Sequence, residues 1–176
     1  MTGNDSLAEG LREVRQYGWT SKYHATRPQG RNSRLDELQA AVLLEKLKYV
    51  DRWNDGRRAI IQRLREAAGD KMVFPDVDGM HHAAHLCVVR SPVRDALRRH
   101  LAADGIATDI HYPVPDHRQP ALTGIFAPHL FLPETDKATN EIVTLPCFPQ
   151  MASEEVAHIC DSLARFCFPQ ERTNVR

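Results

Sequence analysis

Apolar residues first recur at helical spacing near the start of the chain. Leu7, Leu11 and Val14 follow Asn4-Asp5-Ser6 and precede Gly18, the pattern of a short capped helix with a glycine stop. From 19 to 34 the segment WTSKYHATRPQGRNSR has no apolar period and is interrupted by Pro28 and Gly30, which predicts an ordered polar loop. The strongest helix follows, opened by Asn32 or Ser33 as N-cap with Asp36 and Glu37 in its first turn. It runs through LDELQAAVLLEKLKYVDRW and continues past Gly56 with Ile60, Ile61 and Leu64 to a stop at Gly69. On a wheel, Leu35, Leu38, Val42, Tyr49 and Trp53 form one stripe and Leu43, Leu44, Leu47 and Val50 another. Together they cover roughly two thirds of the circumference. Such a helix is expected to be sandwiched, with one side meeting another domain or a second subunit.

The rest alternates strand-like and helical pieces. Strands are expected at 72–75, 85–90 and 106–112 and in VTLP. Helices are expected between Ser91 and Gly105 with Pro92 at N1, near 134–140, and in SEEVAHICDSLARF with Ser153 as cap. The fold class is therefore α+β: a long N-terminal helix plus a small, mostly antiparallel sheet flanked by helices. The tail CFPQERTNVR is expected to fray.

Composition narrows the function classes. Twenty-three Lys plus Arg against 23 Asp plus Glu leave no net field for a nucleic-acid backbone or an anionic membrane, so neither is an expected partner. No stretch is apolar for the length a bilayer demands, no secretory leader is visible, and the four cysteines lack C-x-x-C spacing, which together point to a cytoplasmic protein with free thiols. Only five cations are lysines: Lys22, Lys46, Lys48, Lys71 and Lys137.

His81, His82 and His85 form H-H-x-x-H, but a metal site would need them on one helical face, and the segment runs into a β-rich stretch. Surface histidines are the better reading. No nucleophile elbow or glycine-rich phosphate loop is present. Two places remain. Gly30, Asn32 and Arg34 place a close-approach position, an amide and a guanidinium at a helix start, which suits a phosphate or is simply a cap and a surface charge. His111, Tyr112 and His117 stand at a strand exit stiffened by Pro113 and Pro115, where alternation puts one of His111 and Tyr112 toward a pocket or the sequence merely ends a strand.

Six ordered motifs carry a resemblance: YGWxxxYH at 17–24, GxNSRLDELQAA at 30–41, KLxxxDxWxxxR in the long helix, HLxVVR at 85–90, GIxTxIHYPxPxH at 105–117 and LPCFP at 145–149. Over about residues 4–166 the chain resembles the C-terminal part of the DegT/DnrJ/EryC1/StrS sugar aminotransferases. The resemblance implies the small C-terminal domain of a fold-type I pyridoxal-phosphate transferase, moving an amino group from glutamate to a nucleotide-linked keto-sugar. It implies a homodimer, or pairing with a separate cofactor-domain chain. Asn32 would reach the cofactor phosphate across the dimer, Tyr23, His24 and Arg34 would share that interfacial loop, and His111, Tyr112 and His117 would line the nucleotide-sugar pocket. Residues 1–70 would link to the cofactor domain, 71–168 would form the α+β domain and 169–176 the tail. In the family the aldimine lysine lies in a region preceding these motifs, and none of the five lysines sits in its motif. The chain is therefore expected to be inactive alone, with a non-catalytic nucleotide-sugar-binding or dimerisation module, or an inert remnant, as alternatives.

Overall fold

The structure is a computed structural model that describes residues 2–76, 82–122, 124–125 and 130–168. It divides into two compact units, Met1–Tyr49 and Val50–Arg176.

In the first unit, α1 (Asp5–Val14) is capped by Asn4, whose side chain accepts from the Leu7 amide at 3.0 Å. Its end departs from the expected glycine stop. The helix closes at Val14, and Tyr17 and Gly18 beyond it both take left-handed φ, 60° and 73°, with the Gly18 amide reaching back to the Glu13 carbonyl at 2.8 Å. Residues 31–33 then run beside this end, with Arg31 donating to Val14, Tyr17 to Arg31 and Ser33 to Arg15. Gly30 is required here, because a Cβ would overlap the backbone of Tyr17 and Gly18.

The expected polar loop contains a hairpin. β1 (Trp19–Ser21) pairs antiparallel with β2 (His24–Ala25) around a Lys22-Tyr23 tip. Its strands are three and two residues long, too short for an alternation to mark them. The helix α2 (Glu37–Leu47) is capped by Asp36, which accepts from the Leu38 amide at 2.8 Å, rather than by Asn32 or Ser33. It does not continue into the next helix: the Tyr49 amide bonds three residues back to Lys46, and a turn at 48–49 ends the element with no proline or glycine to announce it. None of the α2 residues is buried.

The second unit starts with α3 (Val50–Ala68), which presents Ile60, Ile61, Leu64 and Ala68 at helical period and packs on α6 (Ser153–Arg165) through its Val156, Ile159 and Leu163. The boundary drawn at 70/71 thus falls inside this unit. Between these helices lie β3 (Cys87–Arg90), α4 (Arg94–Ala103), α5 (Pro133–Glu141) and β4 (Ile142–Leu145). β3 and β4 pair antiparallel, with Cys87 opposite Leu145 and Arg90 opposite Ile142, and Cys87, Val89, Val143 and Leu145 point into the core with Leu97 and Leu101 of α4. The ladder starts at Cys87 rather than 85.

The other two expected strands shrink to single bridges, Val73 to Arg90 and Asp109 to Thr144. Pro75 removes a donor from the first. In the second, the Ile110 amide turns to the Asp109 carboxylate at 2.7 Å instead of a neighbouring strand. Gly105 stops α4 as expected, at φ 76° with the Ile106 amide on the Leu101 carbonyl at 2.8 Å. Pro92 precedes the helix, whose first residue is Arg94. In α6 Ser153 is the first helical residue, and the Glu155 carboxylate instead holds the Ala152 amide at 2.8 Å.

Candidate functional site

In the first unit the segment after the hairpin shapes a cavity of about 590 Å³ lined by Tyr17, Asn32, Arg34 and the start of α2. An antiparallel bridge to Gln16 fixes the Asn32 backbone, and the Arg34 guanidinium lies 5.7 Å from the Tyr17 ring centre. Sequence reasoning paired Asn32 and Arg34, and the structure brings both to this cavity. It does not bring Tyr23 and His24, which sit on the hairpin and are exposed. Tyr23 joins a row of rings instead: Tyr17 to Trp19 at 5.1 Å and Trp19 to Tyr23 at 5.2 Å, with Lys22 Nζ at 5.2 Å from the Tyr23 ring centre. The α2 N-terminus is not open to an anion, because Asp36 already occupies it and Glu37 adds a second carboxylate in the first turn. Any phosphate held here rests on the Asn32 amide and Arg34.

In the second unit His111 follows the Asp109 bridge. Its Nδ1 is 2.8 Å from Thr144 Oγ1, and its ring stands edge-on to Tyr112 at 5.2 Å. Tyr112 is 68% exposed and lines a cavity of about 450 Å³ with Val114, Pro115, Asp116 and one side of α5. Of the two adjacent residues, Tyr112 is thus the one at this cavity. His117 is turned inward: its side chain is 9% exposed, with Nε2 3.9 Å from Asp136 Oδ1 on α5, and Arg118 donates to the other Asp136 oxygen at 2.5 Å. It pins the loop to α5.

Sequence reasoning missed Thr144 and Asp109. A hydroxyl in the middle of the buried strand IVTL was the available signal, since a buried polar group needs a partner.

Elsewhere, burial pushes the Cys87 thiol up to about 12, aided by neighbouring Cys147 and opposed by Arg65, and burial raises Cys147 to about 11. Both are protonated near neutral pH and are poor nucleophiles. His81 lies outside the described residues. His82 accepts the Ala84 amide at 3.0 Å through Nδ1. No helix among the described residues is long and apolar enough to cross a membrane.

An α+β unit of this arrangement is a recurring part of pyridoxal-phosphate-dependent aminotransferases. S. venezuelae DesV, solved with a ketimine intermediate, superimposes with TM-score 0.81 at 36% identity, covering 93% of this chain and 45% of that one. A Brucella abortus DegT/DnrJ/EryC1/StrS aminotransferase gives 0.80 at 32% identity, over 93% and 44%. The dTDP-3-amino-3,4,6-trideoxy-alpha-D-glucose transaminase of Streptomyces venezuelae is 39% identical over 170 residues, 93% of this chain and 44% of the relative. The pleiotropic regulatory protein of Geobacillus stearothermophilus is 40% identical over 171 residues, covering 94% and 46%. The chain thus spans about half the length of the curated relatives it matches. With the family profile matching residues 1–164, the chain belongs to the DegT/DnrJ/EryC1/StrS aminotransferase family.

Proposed function

We propose that this chain is the C-terminal portion of a pyridoxal-phosphate-dependent nucleotide-sugar aminotransferase. The observation that carries this reading is the alignment of nearly the whole chain with a dTDP-amino-sugar transaminase, together with a cavity that pairs Asn32 with Arg34. When bound, pyridoxal phosphate supplies the electron sink through which an amino group passes from donor to keto-sugar. The residues here fit one end of that cofactor. The Asn32 amide and the Arg34 guanidinium are donors for its phosphate, with Arg34 offering the forked, charge-assisted contact. None of the five lysines lines the cavity, so the amine that binds the aldehyde is assigned to another part of the protein. Tyr23 and His24, exposed on the hairpin, contact substrate from across a subunit interface. His111 and Tyr112 face the nucleotide sugar, and His117 holds their loop against α5.

The test is complementation. Mixed with the matching cofactor-binding half of the Streptomyces venezuelae transaminase, the chain restores amino transfer to a dTDP-keto-sugar, and Asn32→Ala raises the cofactor concentration needed by about threefold to tenfold. Borohydride reduction of the chain alone with pyridoxal phosphate yields no single-lysine adduct. A specific adduct, or no complementation by a folded chain, overturns the reading.

One observation favours a second reading, a non-catalytic module for dimerisation or nucleotide-sugar binding. Leu38, Leu44 and Leu47 of α2 are 75%, 63% and 64% exposed. Sizing separates the two: a chain that dimerises and binds nucleotide sugar yet never complements supports the module.

A further inference from the structure

The bridge between Asp109 and Thr144 does more than join two segments. Asp109 donates its amide to the Thr144 carbonyl at 3.2 Å and accepts the Thr144 amide at 2.8 Å, which fixes both side chains beside the His111 ring. Thr144 is 7% exposed, and its Oγ1 lies 2.8 Å from His111 Nδ1. On the opposite edge, Nε2 is 3.7 Å from Asp109 Oδ2. The other Asp109 oxygen is engaged by the Ile110 amide. The imidazole is therefore flanked by a buried hydroxyl on one nitrogen and an exposed carboxylate on the other.

The carboxylate can only accept, so a lone pair on Nε2 would face negative charge, whereas an Nε2–H is attracted to it. With the proton on Nε2, Nδ1 carries the lone pair and accepts from the Thr144 hydroxyl. The gap between Nε2 and Oδ2 is too long for a direct hydrogen bond, yet one oxygen atom placed beside both is within reach of each. That oxygen must accept from Nε2–H and donate to the carboxylate. A hydroxyl does both; a phosphate oxygen cannot donate and would be repelled by Asp109.

Resting on the reading of the chain as a nucleotide-sugar enzyme, we propose that His111 and Asp109 form a binding pair for a sugar hydroxyl, with Asp109 setting the His111 tautomer and Thr144 as the positioning residue that anchors the Nδ1 edge of the ring. Asp109 and Thr144 thereby join the substrate site, and the pair reads the sugar rather than the nucleotide.

The test is long-range nitrogen–proton NMR of the neutral imidazole in the intact chain. Wild-type His111 shows the Nε2–H form, and Asp109→Asn yields a mixture of tautomers. An Nδ1–H wild type, or an unchanged pattern in Asp109→Asn, overturns the assignment. Asp109 is exposed, so the substitution leaves the fold intact. It weakens dTDP-glucose binding by about threefold to tenfold and leaves dTDP binding unchanged. Titration with dTDP-glucose shifts the His111 ring resonance, and dTDP alone does not. If dTDP-glucose binds while His111 stays still, the hydroxyl pair fails and the enzyme reading stands. If dTDP-glucose does not bind but free glucose at high concentration moves His111, the pair stands and the enzyme reading fails. If neither sugar moves it, the pair fails.

Discussion

The two units of the chain are built on opposite principles. Among the described residues every buried hydrophobic side chain belongs to the second unit, where α3, α4 and α6 close over β3 and β4. The first unit is held by backbone bonds and local caps, while Leu7, Leu11, Leu38, Leu44 and Leu47 stay more than half exposed. A core of this kind stabilises itself in one chain. A surface with so much uncovered apolar area gains its stability when something covers it. The difference teaches where to look for fold and where for interaction: the second unit carries the buried core, and the first leaves its apolar residues exposed.

The sharpest way to break this comparison is to truncate a leucine in each unit. Leu64 is fully buried in the α3–α6 contact, so Leu64→Ala is expected to cost about 2–5 kcal/mol in urea denaturation. Leu44→Ala, on exposed α2, is expected to stay within about 0.5 kcal/mol in the isolated chain. Equal costs would mean that α2 is as tightly packed as α3, and the contrast would collapse. Gly30→Ala comes next. Its methyl group would overlap the backbone of Tyr17 and Gly18, so a local loss of about 1–3 kcal/mol is expected. Hydrogen exchange locates it: the amides of Tyr17, Arg31 and Ser33 lose protection while those of β3 and β4 keep theirs.

The same contrast decides what the sequence disclosed. α3, α4 and α6 were legible because burial on one face imposes a helical period, and β4 because both its faces are covered and it reads as an apolar run. The hairpin at 19–25 was not legible, since strands of three and two residues leave no alternation to read. The break at 48–49 was hidden for a different reason: without a core to select one side, the apolar residues of α2 pointed everywhere and ran on smoothly into those of α3. At the candidate site, Asn32 and Arg34 were legible as donors next to a glycine, and both line one cavity. Asp109 and Thr144 were not, because the bridge that unites them is long-range in sequence and a single pair wide.

The smallest effect expected concerns the end of α4, and it is a test of how independent the second unit's polar contacts are from its core. Asp104 accepts from Ser162 Oγ at 2.5 Å and from Arg165 at 2.8 Å, with His100 Nε2 at 3.8 Å, so it ties the end of α4 to α6. The Ser162 hydrogen bond first, and the Arg165 guanidinium after it, hold the Asp104 carboxyl below the ordinary aspartate range. A carboxyl depressed in the folded state binds its proton more readily when unfolded. Its contribution is therefore complete above the unfolded value near 3.9 and is lost as the pH falls through the lower folded value. Asp104→Asn is expected to melt below wild type between pH 5 and pH 7 by a constant margin, and the margin is expected to close as the solution is taken below about pH 4. Thermal melts of the two proteins across that range measure it. A margin that persists unchanged into acid would assign the effect of the substitution to packing at the Ser162 contact, and would show that charge at this helix end adds nothing to what the core of the second unit already supplies.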